Sequence, residues 1–262
     1  MNIQQLNLGF QPDVIVPEDY VLGGFQVPTD MLEPQGQWDR WLPEKEVQKR
    51  NIETFNCTAF ATTNQIEIYE ARKFNTNVNY SDRYLGSLAG TYPPGNSPHR
   101  VLETVRKISG LIEEEELPFG GETAHEYYRV NIPSESLNKG KKWLSKRVFR
   151  HEWVFDQKNV LPEKRHKIME ALMYSPVAVS VFAWAQDDNG LYIKPEGTQD
   201  THWTLCYGYE EGKYWKIYDS YPDSDGVVKK KVAWDTDFML AKRIYIDKKL
   251  SSNFWTKWFS WI

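Results

Sequence analysis

Apolar positions change their rhythm about two-thirds of the way along the chain. From Cys57 to about Lys73 the run CTAFATTNQIEIYEARK holds no Gly or Pro. Within it Ala59, Thr62, Ile66 and Tyr69 recur at steps of three or four, the spacing of one helical face. Asn56 stands just before this run, where a helix N-cap belongs. A second helix is predicted from Ser97-Pro98, a cap and a first-turn proline, along the stripe Val101, Leu102, Val105 and Ile108 to Gly110. A third runs from about Pro162 through Tyr174. Beyond it, PVAVSVFAW (176–184), TLCYGY (204–209), YWKIYDSY (214–221) and AKRIYID (241–247) are β-branched or aromatic runs, separated by turn signals such as DDNG, Glu211-Gly212 and DSDG. Helices first and strands later predict an α+β protein, not alternating βαβ units.

The two ends differ from this middle. Residues 1–37 read as an extended N-terminal arm and 38–247 as the folded domain, with 248–262 an aromatic C-terminal tail. The arm is short for a folded propeptide, so it is expected to brace the strand-rich half rather than to fill a cleft. The tail sets Phe254, Trp255, Trp258, Phe259 and Ile262 on one helical stripe. Packing on the parent domain is the expectation for it, with a protein partner or membrane surface as the alternative. The acidic run Glu113–Glu116 reads as solvated surface, and KGKKWLSKRVFR (139–150) as an exposed connection with Trp143 and Val148 turned inward.

Composition narrows the class. At 262 residues, 40% hydrophobic and 26% charged, this is an ordinary globular composition with room for a large core. A net charge of -4 argues against a nucleic-acid binder, which carries a basic face. No run approaches the roughly 18 apolar residues of a membrane span. The start, MNIQQLNLGFQPDVIVP, lacks both a basic segment and a continuous apolar stretch, so no signal peptide is read. With two cysteines a disulfide framework is excluded. A cytoplasmic location is expected, with no cofactor and no metal.

Three side chains together suggest nucleophilic chemistry. A thiol needs its thiolate form and a neighbouring base, and a helix N-terminus favours the anion. Cys57 is predicted to lie at such a terminus, although a lone cysteine there is more often a small buried hydrophobe. Among five histidines, His99, His125, His151 and His166 lie in polar, predicted helical or loop settings and read as surface or packing residues. His202 instead stands just before the strand WTLCYGY, where its ring projects from a strand end. Asp219 ends the next strand, beyond a turn at Glu210–Lys213, and an antiparallel hairpin would bring it to His202. A carboxylate there orients the imidazole, though a turn aspartate is an equally plain reading. Cys206, between Leu205 and Tyr207, reads as core packing.

Taken in order, these blocks resemble the papain-like cysteine peptidases. Asn56-Cys57-Thr58-Ala59-Phe60-Ala61 is similar to the family's nucleophile block. Asn79–Leu85 is similar to the Ser-rich turn after the central helix, and Ile108–Ile112 through Leu117-Pro118-Phe119 to the Gly, aliphatic, acidic, Pro-aromatic passage. Ser175–Val179 is similar to the strand preceding the histidine, and His202 with Tyr214–Tyr221 to the His and Asn-Ser-Trp blocks. Cys57 and His202 are 145 positions apart, within the roughly 130–150 of the papain type. The resemblance implies a two-lobed fold: a helical lobe around a central helix starting at Cys57, and an antiparallel, barrel-like β lobe carrying His202 and Asp219. It also implies hydrolysis of a peptide or protein substrate by Cys57, with His202 as general base. Departures are Thr58 and Tyr221 where tryptophans are usual, and Asp219 for Asn. The oxyanion-hole Gln of the family would fall at Asn51; Gln48 is the preferred donor if the loop is longer, and Asn51 the alternative. These departures keep a rival open, an idle papain-like fold acting as a binding or structural protein. Cell-wall amidases and transglutaminase-like enzymes are disfavoured, because they place the histidine nearer the cysteine. The divergent blocks are similar to those of viral or phage-type members, which implies a virion-associated location as the alternative to a cytoplasmic one.

Overall fold

A computed structural model describes residues 8–16, 19, 21–22, 30–44, 47–223, 226 and 228–249. The first half is helical: α1 (Cys57–Phe74), α2 (Asp82–Leu88), α3 (Pro98–Lys107), α4 (Ala124–Tyr128) and α5 (Ser134–Ser145). Strand β1 (Arg147–Trp153) and helix α6 (Leu161–Leu172) lead into β2 (Val177–Val181), β3 (Ala185–Gln186), β4 (Tyr192–Ile193), β5 (His202–Glu210), β6 (Tyr214–Tyr218), β7 (Lys229–Ala233) and β8 (Ala241–Lys248). The strands form one sheet in the order β1-β8-β2-β5-β6-β7-β4-β3. Its pairs are antiparallel, except a single parallel pairing of β4 with β7 at Tyr192 and Val232. The α+β class and the helix beginning at Cys57 are those expected from the sequence.

α1 is the axis of the molecule. Every residue from Cys57 to Glu70 is buried, so the stripe read from the sequence is only part of what the helix hides. One flank meets β5 and the other meets α2 and α3. A helix buried all round must satisfy its polar side chains internally. Gln65 Nε2 donates to the carbonyls of Pro176 (2.7 Å) and Lys242 (3.1 Å), tying the helix to β2 and β8. Glu67 accepts from the Tyr80 N–H at 2.6 Å, and Glu70 from the Tyr80 hydroxyl at 2.6 Å and Arg147 at 2.5 Å.

Local signals hold in part. Ser97 caps α3, its hydroxyl accepting from the Arg100 N–H at 3.1 Å, with Pro98 in the first turn. The helix ends at Lys107, however, and Ile108 is exposed, because the chain must turn there for Gly110 to bond Gly140 of α5 at 3.1 Å. The stretch read as an exposed connection is instead the end of α5 followed by β1, whose partner β8 lies almost a hundred residues away. Trp143 is buried as read. His99 and His151 are packing residues around the buried Lys242, each Nδ1 at 3.3 Å from its Nζ. Burial pushes that ammonium down to about 7. The aromatic tail from Phe254 lies outside the described residues.

Asn56 does not cap α1 with its side chain. Its Nδ2 donates instead to the Asp82 carbonyl (3.0 Å) and the Tyr127 hydroxyl (3.3 Å), fastening the start of α1 to α2 and α4. Gly86 makes this possible, since a Cβ there would stand 2.4 Å from Asn56 Oδ1. Gly86→Ala should therefore overpack the joint and cost about 1–3 kcal/mol, read as a lowered urea midpoint at unchanged slope.

Candidate active site

Cys57 is the first residue of α1, and His202 the first of β5. The backbone N–H groups of Trp203 and Thr58 face the Cys57 sulfur, so the sulfur lies beside the strand residue next to His202. The β5–β6 hairpin closes through Lys213 and Glu210, with Leu205 opposite Tyr218. That register carries Asp219 to His202, whose Nε2 meets Asp219 Oδ1 at 2.6 Å. A carboxylate oxygen only accepts, so Nε2 is the donor of this bond and Nδ1 is the ring nitrogen turned away from the carboxylate. Nδ1 is buried and has no hydrogen-bond partner among the described residues. Cys57, His202 and Asp219 are all fully buried.

Gln48 joins them, and Asn51 does not. Gln48 is fully buried: its backbone N–H donates to the Ser220 carbonyl at 3.0 Å, and its Oε1 accepts from the Ser220 hydroxyl at 3.0 Å. Its Nε2 stands 3.2 Å from the Tyr221 hydroxyl. Asn51 is exposed and bonds Gly121. In the loop between Gln48 and α1 the Thr54 hydroxyl donates to the Gln48 carbonyl at 3.1 Å and Phe55 takes a positive φ of 55°.

Two neighbours of His202 and Asp219 escaped the sequence reading. Lys230 of β7 is buried and donates to Asp219 Oδ2 at 2.7 Å and to the Tyr221 carbonyl. The run Lys229-Lys230-Lys231 reads as solvated charge, but strand alternation puts Lys230 on the same inward face as Val232. Trp184 is the other. Its ring lies edge-on to His202 at 5.8 Å, with Tyr221 edge-on from elsewhere at 5.5 Å, so two rings wall the imidazole. Burial alone would raise the Asp219 carboxyl, but His202 and Lys230 hold it below its ordinary value. Burial pushes the Cys57 thiol strongly up, against the pull of the Trp203 and Thr58 N–H groups.

The chain matches the model of the papain family cysteine proteases over residues 48–227. It belongs to that family. Solved structures show the same fold at low identity. The bromelain protease from Ananas comosus, in complex with the E64 inhibitor, is 16% identical with a TM-score of 0.54, covering 82% of this chain and 98% of its own. A digestive procathepsin L2 proteinase from Tenebrio molitor larval midgut is 16% identical with a TM-score of 0.60, covering 93% and 78%. A digestive procathepsin L 3 from the same tissue is 14% identical with a TM-score of 0.59, covering 93% and 76%. No curated protein sequence matches the chain.

The chain's own arm runs against these residues. The Leu8 N–H donates to the carbonyl of Thr201, the residue before His202, at 3.3 Å, and Gln48 Nε2 donates to the Leu8 carbonyl at 3.0 Å. Leu8 and Phe10 are both buried. Bracing was the expectation for the arm, and other parts of it do brace: Val21 bridges to Trp153, and the Trp38 N–H bonds the Tyr207 carbonyl at 2.8 Å. Residues 8–11 run beside the candidate site, with Leu8 bonded to Thr201 and Gln48 and the Phe10 ring stacked on Trp203 at 5.7 Å between centroids.

The Asp219–Lys230 pair is dry, so removing one partner strands a buried charge. Lys230→Met should cost about 3–5 kcal/mol in urea unfolding at neutral pH. A carboxyl held low in the folded state stabilises above its unfolded value, and this is lost as pH falls through the folded value. Without Lys230 the folded value rises, so acid unfolding of the variant should begin at higher pH than in the parent.

Proposed function

We propose that this chain is a cysteine peptidase in which Cys57 is the nucleophile, His202 the general base and acid, Asp219 the group that orients it, and Gln48 an oxyanion donor. The observation that carries this reading is the bond at His202: its Nε2 lies on Asp219 Oδ1, so the ring nitrogen left for the thiol is Nδ1, on a strand whose next N–H faces the Cys57 sulfur. His202 Nδ1 takes the thiol proton, and the thiolate attacks a peptide carbonyl carbon. Negative charge then develops on the carbonyl oxygen, between Gln48 Nε2 and the first-turn N–H of Cys57. The C–N bond breaks as His202 returns the proton to the leaving amine. Water, deprotonated by His202, hydrolyses the remaining thioester and regenerates the thiol.

Asp219 carries a charge where the family usually has a neutral amide, so it favours the imidazolium that forms in both steps. Lys230 offsets part of that charge from the far side of the carboxylate, with its Nζ on Oδ2 and His202 on Oδ1. Family membership implies a protein substrate, and among the described residues no helix is long and apolar enough to cross a membrane.

Turnover of a peptide panel tests the assignment. Cys57→Ala should leave essentially no activity, and Gln48→Ala should lower kcat by about 10²–10³, the usual cost of losing one oxyanion donor. If Cys57→Ala cleaved as fast as the parent, the peptidase reading would fail. If a thiol-reactive peptidyl epoxide labelled Cys57 no faster than Cys206, whose buried thiol is pushed up to about 12, the idle-fold reading would take its place.

A further inference from the structure

A second group of buried polar side chains forms where β8, β1 and α3 meet, and it shares no residue with the candidate active site. Lys242 of β8 is 1% exposed. Its Nζ lies over the Trp153 ring, 3.5 Å from the centroid, and 3.3 Å from the Nδ1 atoms of both His99 and His151. His151 donates from Nε2 to Glu103 Oε1 at 2.8 Å. Burial pushes its imidazole down to about 3, so Nδ1 meets the Lys242 amine as an acceptor. An ammonium buried in this way calls for an anion beside it. Among the described residues no carboxylate comes within ion-pair distance of Nζ.

The carboxylates that act on Lys242 from further off are Asp13, Asp19, Glu103 and Glu152, and each is spent on another donor. Asp13 Oδ2 accepts from the His99 N–H at 3.0 Å, and Asp19 Oδ2 from the Trp153 indole N–H at 3.1 Å. Glu103 accepts from Arg106 at 2.6 Å as well as from His151, and Glu152 pairs with Arg243. Lys242 instead lines a cavity of about 470 Å³, a volume suited to a small organic molecule. Arg106, Lys107 and Arg150 line it too, and Trp153 and Phe149 give it aromatic walls. Against these basic groups stand two carboxylates, Asp19 and Glu103, both already bonded.

We propose that this cavity binds a small organic phosphate, with Lys242 as the buried counter-ion of the phosphate and Arg150 holding it from the exposed side. A dianion can meet cations on more than one side, and the guanidinium fork matches phosphate oxygens in pairs. The aromatic walls suit the carbon part of the ligand. Binding is coupled to a proton. Burial holds the Lys242 ammonium down at about 7, and a dianion beside it favours the charged form, so a proton enters with the ligand above that pH. The groups facing Lys242 are His99 and Glu103 from α3, His151 and Glu152 from β1, and Asp13 and Asp19 from the arm. Of these only the histidines ordinarily titrate near neutrality, and burial lowers both. The peptidase reading plays no part in this inference.

Isothermal titration of the full chain with phenyl phosphate at about pH 8, in two buffers of different ionisation enthalpy, tests it. At that pH the ligand is already a dianion, its second ionisation lying near about 6, and histidines are neutral, so any proton taken up reports on Lys242. Phenyl phosphate should bind with uptake of about one proton per ligand. Benzoate should bind at least about tenfold more weakly, and phenol not measurably. Lys242→Met should lower the affinity at least about tenfold and abolish the proton uptake. Arg150 is exposed, so Arg150→Ala leaves the fold intact and should weaken binding by about tenfold with the uptake retained. If Lys242→Met does not fold, the uptake by the parent chain and the Arg150→Ala affinity still decide the matter. No binding of phenyl phosphate, binding without proton uptake, or benzoate bound as tightly as the phosphate would overturn the inference.

Discussion

The site depends on one dry electrostatic arrangement: Asp219, wholly removed from water, accepts from His202 on one oxygen and from Lys230 on the other. A carboxylate in that position is tolerable only when both oxygens are occupied by donors, one of them a cation. The hairpin between β5 and β6 places the first donor, and the pairing of β6 with β7 the second. The orientation of the imidazole is thus a product of sheet register. A slip of one residue in either pairing would turn the partner to the opposite face of the sheet.

Burial opposes ionisation of the thiol. The Cys57 sulfur is dry, and burial favours its protonated form despite the helix N-terminus beneath it. The arm gives the Gln48 amide a carbonyl to bind, that of Leu8, where the proposed mechanism needs it free for a substrate oxygen. The arm is held there by backbone bonds at Thr201 and Asn96 and by one stacked ring on Trp203.

Much of the framework was legible along the chain because its signals are local. Ser97-Pro98 caps and starts α3, and the turn at Glu210–Lys213 folds β5 back on β6. Lys230 was not legible, since three consecutive lysines look solvated until a sheet is there to alternate them. Strand β1 was hidden for a related reason: its partner is at the far end of the chain, and its sequence RVFRHEW alternates too weakly to declare a buried face. Asn56 looked like a cap, yet the close approach of Gly86 draws its side chain to α2 instead.

The sequence by itself determined the class of fold, the helix that begins at Cys57 and the strand that begins at His202, because each rests on residues close together in the chain. Only the tertiary structure decided that Gln48 rather than Asn51 lies beside Ser220 and Tyr221, that Lys230 shares the carboxylate of Asp219, and that the arm runs against Thr201 and Trp203. Those are matters of which distant segments touch, and they are settled by burial and by the need of every buried polar group for a partner.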